Sequence, residues 1–302
     1  MKKYSFRDIG HCEMCKDPTK NHKILGQRLN KSQGLKPKKL FGISVSVVKC
    51  NNCGLIYSNP QPIPFDIQNH YGTPPEDYWK ESYFNWDSTY FQNQLKQVKR
   101  LIDFKSDMKA LDIGAGLGKC MLSLENFGFD TYGLEPSIPF YERAISKMGI
   151  DKNKLKLGSI EELEYEDNSF DFITFGAVFE HLYEPAFCLE KALKWLKPNG
   201  IIHIEVPSSD WLIAKLMNLY YRISGTNFVT NLSPMHSPFH LHEFTLKSFE
   251  KLAVELGFRI EKFEYHVASI YYVPKMFHGL LKLYMEKTNT GLQLSIYLRK
   301  IE

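Results

Sequence analysis

Two Cys-x-x-Cys pairs, Cys12/Cys15 and Cys50/Cys53, stand 34 residues apart near the start of the chain. Two residues between cysteines make a tight turn that aims both sulfurs at one point, and two such turns read as a tetrahedral zinc site. Asn51, Asn52 and Gly54 around the second turn tolerate the left-handed backbone that these knuckles need. Four thiolates leave no open coordination position, so the ion expected is structural; the competing reading is a redox dithiol pair. The long gap predicts an intervening hairpin with FGISVSVVKC as its second strand. The remaining cysteines, Cys120 and Cys188, lie in helical or apolar context and read as inert core thiols.

A second constellation is MKALDIGAGLGKCMLSLENFGF followed by FDTYGLEPS, which reads as strand, glycine turn, helix and a second strand ending in an acid. Gly114, Gly116 and Gly118 make Gly-x-Gly-x-Gly; the dinucleotide fingerprint needs glycine at 119, where Lys119 stands. Asp112, just before the turn, would repel a pyrophosphate and suits an ammonium or a ribose hydroxyl. Glu135, 21 residues after Gly114, sits where a carboxylate accepts both hydroxyls of an adenosine ribose. The pattern therefore points to a nucleoside ligand rather than a dinucleotide.

Composition bounds what these motifs are built on. The chain has 302 residues, 43% hydrophobic and 24% charged, which excludes fibrous and disordered classes and allows one large α/β domain with an appendage or two ordinary domains. Its net charge of +4 is uneven: residues 1–60 hold 12 Lys+Arg against 3 Asp+Glu. A basic front suits phosphate-bearing partners or simply keeps a small module soluble, and a general nucleic-acid binder is more often basic throughout. The longest apolar stretch, FITFGAVF at 172–179, is too short to span a bilayer, and no apolar run follows the first lysines, so the expected location is the cytoplasm.

Between the motifs, positioning elements are legible. NPQPIPFDIQNHYGTPPEDYW reads as an ordered linker whose Tyr71, Tyr78, Trp79, Tyr83 and Phe84 form either a lid over a ligand or a seam between domains. DSTYFQNQLKQVKRLIDF has helical apolar spacing through Tyr90, Phe91, Leu95, Val98, Leu101 and Ile102. WLIAKLMNLYYRISG reads as an amphipathic helix capping an acceptor pocket; docking at a membrane surface competes, but only Lys215 and Arg222 favour it. The expected units are a zinc-binding module at 1–62, an aromatic linker and helix at 63–105, and a main domain at 106–302 with a cap insertion at 207–240.

The succession ALDIGAGLG, YGLEPS, LGSIEEL, NSFDFITFGAVFEHL, LKPNGIIHIEVPSS and HLHEFTLKSFEKLAVELGF resembles the motifs of class I S-adenosylmethionine-dependent methyltransferases. The twin Cys-x-x-Cys with GLIYSNPQP and an aromatic Tyr-Trp resembles a subset that carries an N-terminal zinc module and includes sugar methyltransferases of deoxysugar and surface-glycan pathways. The resemblance covers about Cys12 to Phe258. It implies an α/β fold: a Rossmann-like, seven-stranded, mostly parallel sheet with helices on both faces, plus a small N-terminal four-cysteine zinc module and a helical cap. FRIEKFEYHV and GLQLSIYLRKI would be the last two strands, antiparallel at one edge, with VPKMFHGLLKLYMEKTNT a helix between them.

Carried over by position, the resemblance implies that Asp112, Gly114, Ala115 and Gly116 line the methionine part of S-adenosylmethionine. Glu135 with Pro136 would hold the ribose, Ser159 and Ile160 would border the adenine, and Gly176 with Ala177 would pass beneath the sulfonium. Many relatives have aspartate where Ser159 stands, so adenine recognition would lean more on backbone atoms. Methyl transfer to oxygen or carbon needs the acceptor's proton removed, which suits histidine near neutrality. His181, in a Glu180-His181 pair after the fourth strand, is the first choice for general base, with Glu180 able to orient a helix end. His236, His240 and His242 cluster in MHSPFHLHEF, where His240 matches a histidine common in relatives. Three clustered histidines suggest contacts to substrate phosphate or hydroxyls, or a metal.

The acceptor implied is a hydroxyl, or an activated carbon, of a nucleotide-activated sugar or surface-glycan precursor. An RNA methyltransferase is the alternative, against which FGAVFEHL stands where an NPPY-like tetrapeptide would serve exocyclic base nitrogens. A zinc-anchored scaffold without catalysis is the second alternative. Oligomeric state is not written in these motifs.

Overall fold

The structure is a computed structural model that describes residues 4–32, 42–66, 80–267, 270 and 273–301. Its centre is a seven-stranded sheet in the order β12-β13-β10-β9-β6-β7-β8. The strands are β6 (Lys109–Ile113), β7 (Asp130–Glu135), β8 (Leu155–Leu157), β9 (Phe170–Gly176), β10 (Leu196–Pro207), β12 (Phe258–His266) and β13 (Gln293–Lys300). Pairings from β8 through β10 are parallel, whereas β13 runs antiparallel to both β10 and β12. The last two strands thus pair antiparallel at one edge, as expected; only β13 is reversed, and outermost β12 runs with the parallel set.

Parallel central strands are buried on both faces, and period-two alternation decides which helices each residue meets. Ala110, Phe172 and Ile201 lie side by side in register and pack with Leu95, Val98, Cys120 and Leu124. These come from α1 (Gln92–Leu101) and α2 (Lys119–Phe127). The next residues, Leu111, Ile173 and Ile202, face the opposite side and join Ala192, Trp195, Phe249 and Leu252. Those lie on α4 (Pro185–Trp195) and α6 (Leu246–Leu256), while α3 (Ile138–Met148) covers the β7–β8 edge. The remaining helices are α5 (Leu212–Ile223) and α7 (His278–Thr288).

The front of the chain forms a separate β layer. β2 (Lys23–Leu29) and β3 (Ser44–Lys49) pair as the expected hairpin, β4 (Ile56–Asn59) adds to β3, and β1 (Tyr4–Arg7) pairs with β5 (Gln61–Pro64). A two-residue strand from far along the chain, β11 (His242–Glu243), completes the layer by pairing with β4. The layer docks on the α4/α6 face, since Cys12, Met14, Cys50, Cys53 and Leu55 share one buried cluster with Phe179, Phe244 and Phe249. Thr245 fastens the joint: it caps α6 by accepting from the Ser248 N–H and donates its hydroxyl to the Cys53 carbonyl at 2.6 Å. Among the described residues no helix is long and apolar enough to cross a membrane.

Candidate active site and cysteine cluster

The glycine turn between β6 and α2 builds the floor of a cleft at the carboxyl ends of the central strands. Gly114 sits at φ +71°, and a Cβ there would lie 2.5 Å from Val178, so both the left-handed backbone and the close approach demand glycine. Glu135 ends β7 and braces the turn, accepting from the Gly116 N–H through Oε2 and from the Ser137 N–H through Oε1, both at 2.7 Å. Burial pushes its carboxyl up to about 7, opposed by those two N–H groups. Asp112 ends β6 almost fully buried; burial, then the nearby Glu135 charge, raise it to about 8. Its Oδ2 has no hydrogen-bond partner among the described residues.

Two cavities adjoin here, sharing Gly114, Gly116, Phe140 and Ala177 in their walls. The first, about 350 Å³, is lined by Asp112, Ala115, Lys119 and Gly176 together with Tyr83, Tyr90, Phe91, Gln94, His203 and Glu205. The second, about 520 Å³, is lined by Glu135, Pro136, Ser159, Glu161 and Glu162 and also by His181, Leu182, Tyr183 and Glu184. Both volumes suit small ligands. The residues present fit S-adenosylmethionine. Space is open above Gly116 and Gly176, where an added Cβ would meet nothing within 4 Å. Asp112, in the wall of the first cavity, has a buried oxygen without a partner among the described residues, and Glu135 keeps lone pairs beyond its two backbone bonds.

Of the residues expected around the cofactor, Asp112, Gly114, Ala115, Gly116, Glu135, Pro136, Ser159, Gly176 and Ala177 all line this pair of cavities. Ile160 does not: it is 2% exposed and belongs to the apolar core, because the loop after β8 turns Ser159, Glu161 and Glu162 outward and Ile160 inward. Cys120 is buried as expected, yet it reaches the wall of the first cavity beside Asp112. Of the aromatic linker, Tyr83 lines the first cavity with Lys119 Nζ 4.3 Å from its ring centre, and Phe84 lies near Lys147. Tyr71, Tyr78 and Trp79 lie outside the described residues.

The histidines separate. His181, on the short 3-10 turn Phe179–His181 after β9, lines the second cavity with its Nδ1 3.2 Å from the Phe239 carbonyl. Burial lowers it to about 4, so the imidazole is neutral at ordinary pH. His240 leaves the expected cluster and pairs its ring with His181 (centroids 5.1 Å apart), with Nε2 3.7 Å from Glu180 Oε1. Glu180 is 2% exposed and raised to about 8, chiefly by burial. Neither Glu180 nor His240 is part of the lining of either cavity; both lie beside His181, Glu180 buried and the His240 side chain 28% exposed. His242 is buried on β11 against β4, and His236 is held by the Ser237 carbonyl. The three histidines therefore do not converge on one ligand, because β11 pairing turns His242 into the module joint.

Sequence reasoning passed over His203 and Glu205. Both lie on β10 in IIHIEVP, where polar residues interrupt a buried apolar strand near its carboxyl end, and that interruption was the available signal. His203 is hydrogen-bonded to Thr174 and Ser295, both at 2.9 Å, and Glu205 accepts from Gln94 at 3.3 Å.

The four module cysteines converge. Cys12 and Cys53 sulfurs are 3.5 Å apart, Cys15 and Cys50 sulfurs 3.6 Å, and all four lie within 4.8 Å of one another. A tetrahedral ion with metal–sulfur bonds of about 2.3 Å has sulfur–sulfur edges of about 3.8 Å, so the set fits such an ion. The cysteines are not joined as disulfides.

A family model described as a methyltransferase domain matches residues 86–262. The chain belongs to this family. It is 29% identical over 118 residues to phosphoethanolamine N-methyltransferase 2 of Caenorhabditis elegans, a match covering 38% of this chain and 27% of that protein. It is 31% identical over 113 residues to demethylmenaquinone methyltransferase of Staphylococcus aureus, covering 35% and 46%. The chain thus spans less than half the length of these curated relatives. The crystal structure of a SAM-dependent methyltransferase from Methanosarcina mazei superposes with a TM-score of 0.50 at 20% identity, covering 68% of this chain and 97% of that one. The fold is accordingly that of the class I S-adenosylmethionine-dependent methyltransferases.

Proposed function

We propose that this protein transfers a methyl group from S-adenosylmethionine to a hydroxyl, or an activated carbon, of a nucleotide-activated sugar or surface-glycan precursor. The observation that carries the reading is the adjoining pair of cavities: acids suited to the cofactor, Asp112 and Glu135, in their walls, and a neutral His181 in the second. Asp112, Gly114, Ala115, Gly116, Gly176 and Ala177 would hold the methionine part, Glu135 and Pro136 the ribose, and Ser159 the edge of the adenine. The cofactor supplies a methyl group already activated on a sulfonium, so the chain's own task is orientation and proton removal.

His181 is assigned as the base that takes the acceptor's proton. Its Nδ1 hydrogen bond to Phe239 fixes the ring. A ring this buried becomes a costly cation once protonated, and the compensation available is Glu180, whose carboxylate lies within 4.8 Å of the His181 and His240 ring nitrogens. Glu180 and His240 are assigned as residues that position and support His181. The front module reaches the second cavity: Arg7 pairs at 3.0 Å with Glu184 in its wall. We assign residues 1–62 as a module folded around structural zinc on Cys12, Cys15, Cys50 and Cys53. Thiolate ligation of this kind suits the reducing cytoplasm.

Incubation with S-adenosylmethionine and a panel of nucleotide sugars, read by mass spectrometry, tests the assignment. A methylated sugar nucleotide formed by the wild type and not by His181→Ala is expected. Methylation of RNA instead, or equal turnover by the variant, would contradict the acceptor and the base respectively.

A further inference from the structure

Helices α5 and α7 pack together and each exposes apolar side chains that join no buried cluster among the described residues. The start of α5 is tied to the end of α7 by the Leu212 N–H donating to the Thr290 carbonyl at 3.1 Å, beside a Ser208–Leu292 bond at 2.8 Å. Ile213, Met217 and Tyr221 of α5 share one buried cluster with Met285 of α7. The two helices therefore run antiparallel from a common base, and the end of α5 and the start of α7 make the far end, or tip, from which residues 227–229 run on to pair with Gln27 of β2. The base lies just past the carboxyl end of β10, the strand whose Glu205 lines the first cavity. The helix pair thus leaves the sheet at the same end as the cleft.

Each helix buries one stripe and exposes another that is equally apolar. On α5 the exposed set is Leu216, Leu219, Tyr220 and Ile223, spaced i, i+3, i+4, i+7. On and just before α7 it is Met276, Phe277, Leu280, Leu283 and Tyr284. Exposure is greatest near the tip, with Ile223 at 78%, Met276 at 83% and Leu280 at 71%. A soluble monomer rarely leaves apolar surface so concentrated unless it meets something.

Charge says what. Residues 212–223 and 275–288 carry five cations, Lys215, Arg222, Lys275, Lys282 and Lys287, against one acid, Glu286. Asp210 pairs with Lys215 and Glu286 approaches Lys282, which leaves the tip cations Arg222 and Lys275 outside those pairs. A second copy of the chain would bring the same positive sign to the contact. Exposed apolar side chains flanked by cations at the end of a helix pair are instead the arrangement of an interfacial anchor, with apolar groups entering the headgroup boundary and cations meeting anionic headgroups. We propose that the α5/α7 tip docks on an anionic lipid surface, with the cleft end of the sheet turned toward that surface. The sequence of α5 alone, with two cations, undervalues this reading; the structure adds Lys275 on the turn before α7 and two lysines, Lys282 and Lys287, on α7.

The test is sedimentation of the full chain with vesicles of phosphatidylcholine alone or with added phosphatidylglycerol, with light scattering in the absence of lipid. The wild type should bind the anionic vesicles and release as salt rises. Ile223→Glu/Leu280→Glu and Arg222→Glu/Lys275→Glu should each reduce binding by at least about tenfold. Both should keep wild-type affinity for S-adenosylhomocysteine, showing an intact fold. Failure of the wild type to bind anionic vesicles at low salt, or wild-type binding by both variants, would overturn the proposal and leave the face to a protein partner. A dimer that Ile223→Glu/Leu280→Glu converts to a monomer would assign it to a second copy.

Discussion

Replacing Glu135 perturbs the cofactor reading at its most defined point. A carboxylate offers about four lone-pair sites; two accept the Gly116 and Ser137 N–H groups, and two remain for a ribose diol. A hydrogen bond to a charged group contributes about 1.5–3 kcal/mol. Glu135→Gln, which keeps one acceptor oxygen, should weaken S-adenosylhomocysteine binding by about 2 kcal/mol. Glu135→Ala, which keeps none, should weaken it by about 3 kcal/mol or more, roughly 100-fold at least. The alanine variant also leaves two backbone donors without their acceptor, so its melting temperature should fall, while the ligand-bound wild type should gain most. The pH dependence adds a second signature. The free carboxyl titrates near 7, raised by burial, so it is protonated below that value and cannot accept from both hydroxyls. Affinity should then fall as pH drops through 7, by about tenfold per unit for one linked proton, and Glu135→Ala should lose that proton from the profile. Calorimetry across about pH 5.5–8.5 measures both effects. An unchanged affinity in a folded Glu135→Ala protein, or an identical pH profile, would refute the placement of the ribose.

Further expectations concern the base and the module. His181→Ala should abolish turnover and leave S-adenosylmethionine affinity within about twofold of wild type, measured by calorimetry beside a rate assay; a lost affinity would make it a binding residue instead. Glu180 is protonated below about 8 and ionised above it, so its support for a His181 cation grows as pH rises through 8. The kcat/KM profile should therefore rise toward pH 8 in the wild type and flatten in Glu180→Gln, and a limb unchanged in the variant would remove Glu180 from the account. Elemental analysis should find one zinc per chain, and Cys50→Ser should release it and melt the front layer, since structural zinc contributes on the order of 10 kcal/mol. A metal-free preparation that folds with four titratable thiols would contradict that assignment.

Local signals carried far in this chain. The β6 turn, Glu135 and the β2–β3 hairpin follow from spacing alone, because each is a short-range device whose parts lie within about 30 residues. The resemblance added a seven-stranded, mostly parallel sheet, and the structure supplied its order. What escaped depends on long-range pairing. The β11–β4 contact joins positions nearly two hundred residues apart, and it alone decides that His242 faces the module while His240 meets Glu180. Ile160 and Ser159 are neighbours that a single loop turn sends in opposite directions. His203 and Glu205 were hidden because strand periodicity marks a polar residue in an apolar run without telling which end of the sheet it reaches.

Calorimetric titration of the full chain with S-adenosylmethionine and S-adenosylhomocysteine, with NAD as the comparison, tests the central claim most directly. The account predicts binding of the first two and none of NAD, because Lys119 replaces the third glycine of the dinucleotide turn. Binding of NAD, or of neither methionine derivative with or without a nucleotide sugar present, would contradict it.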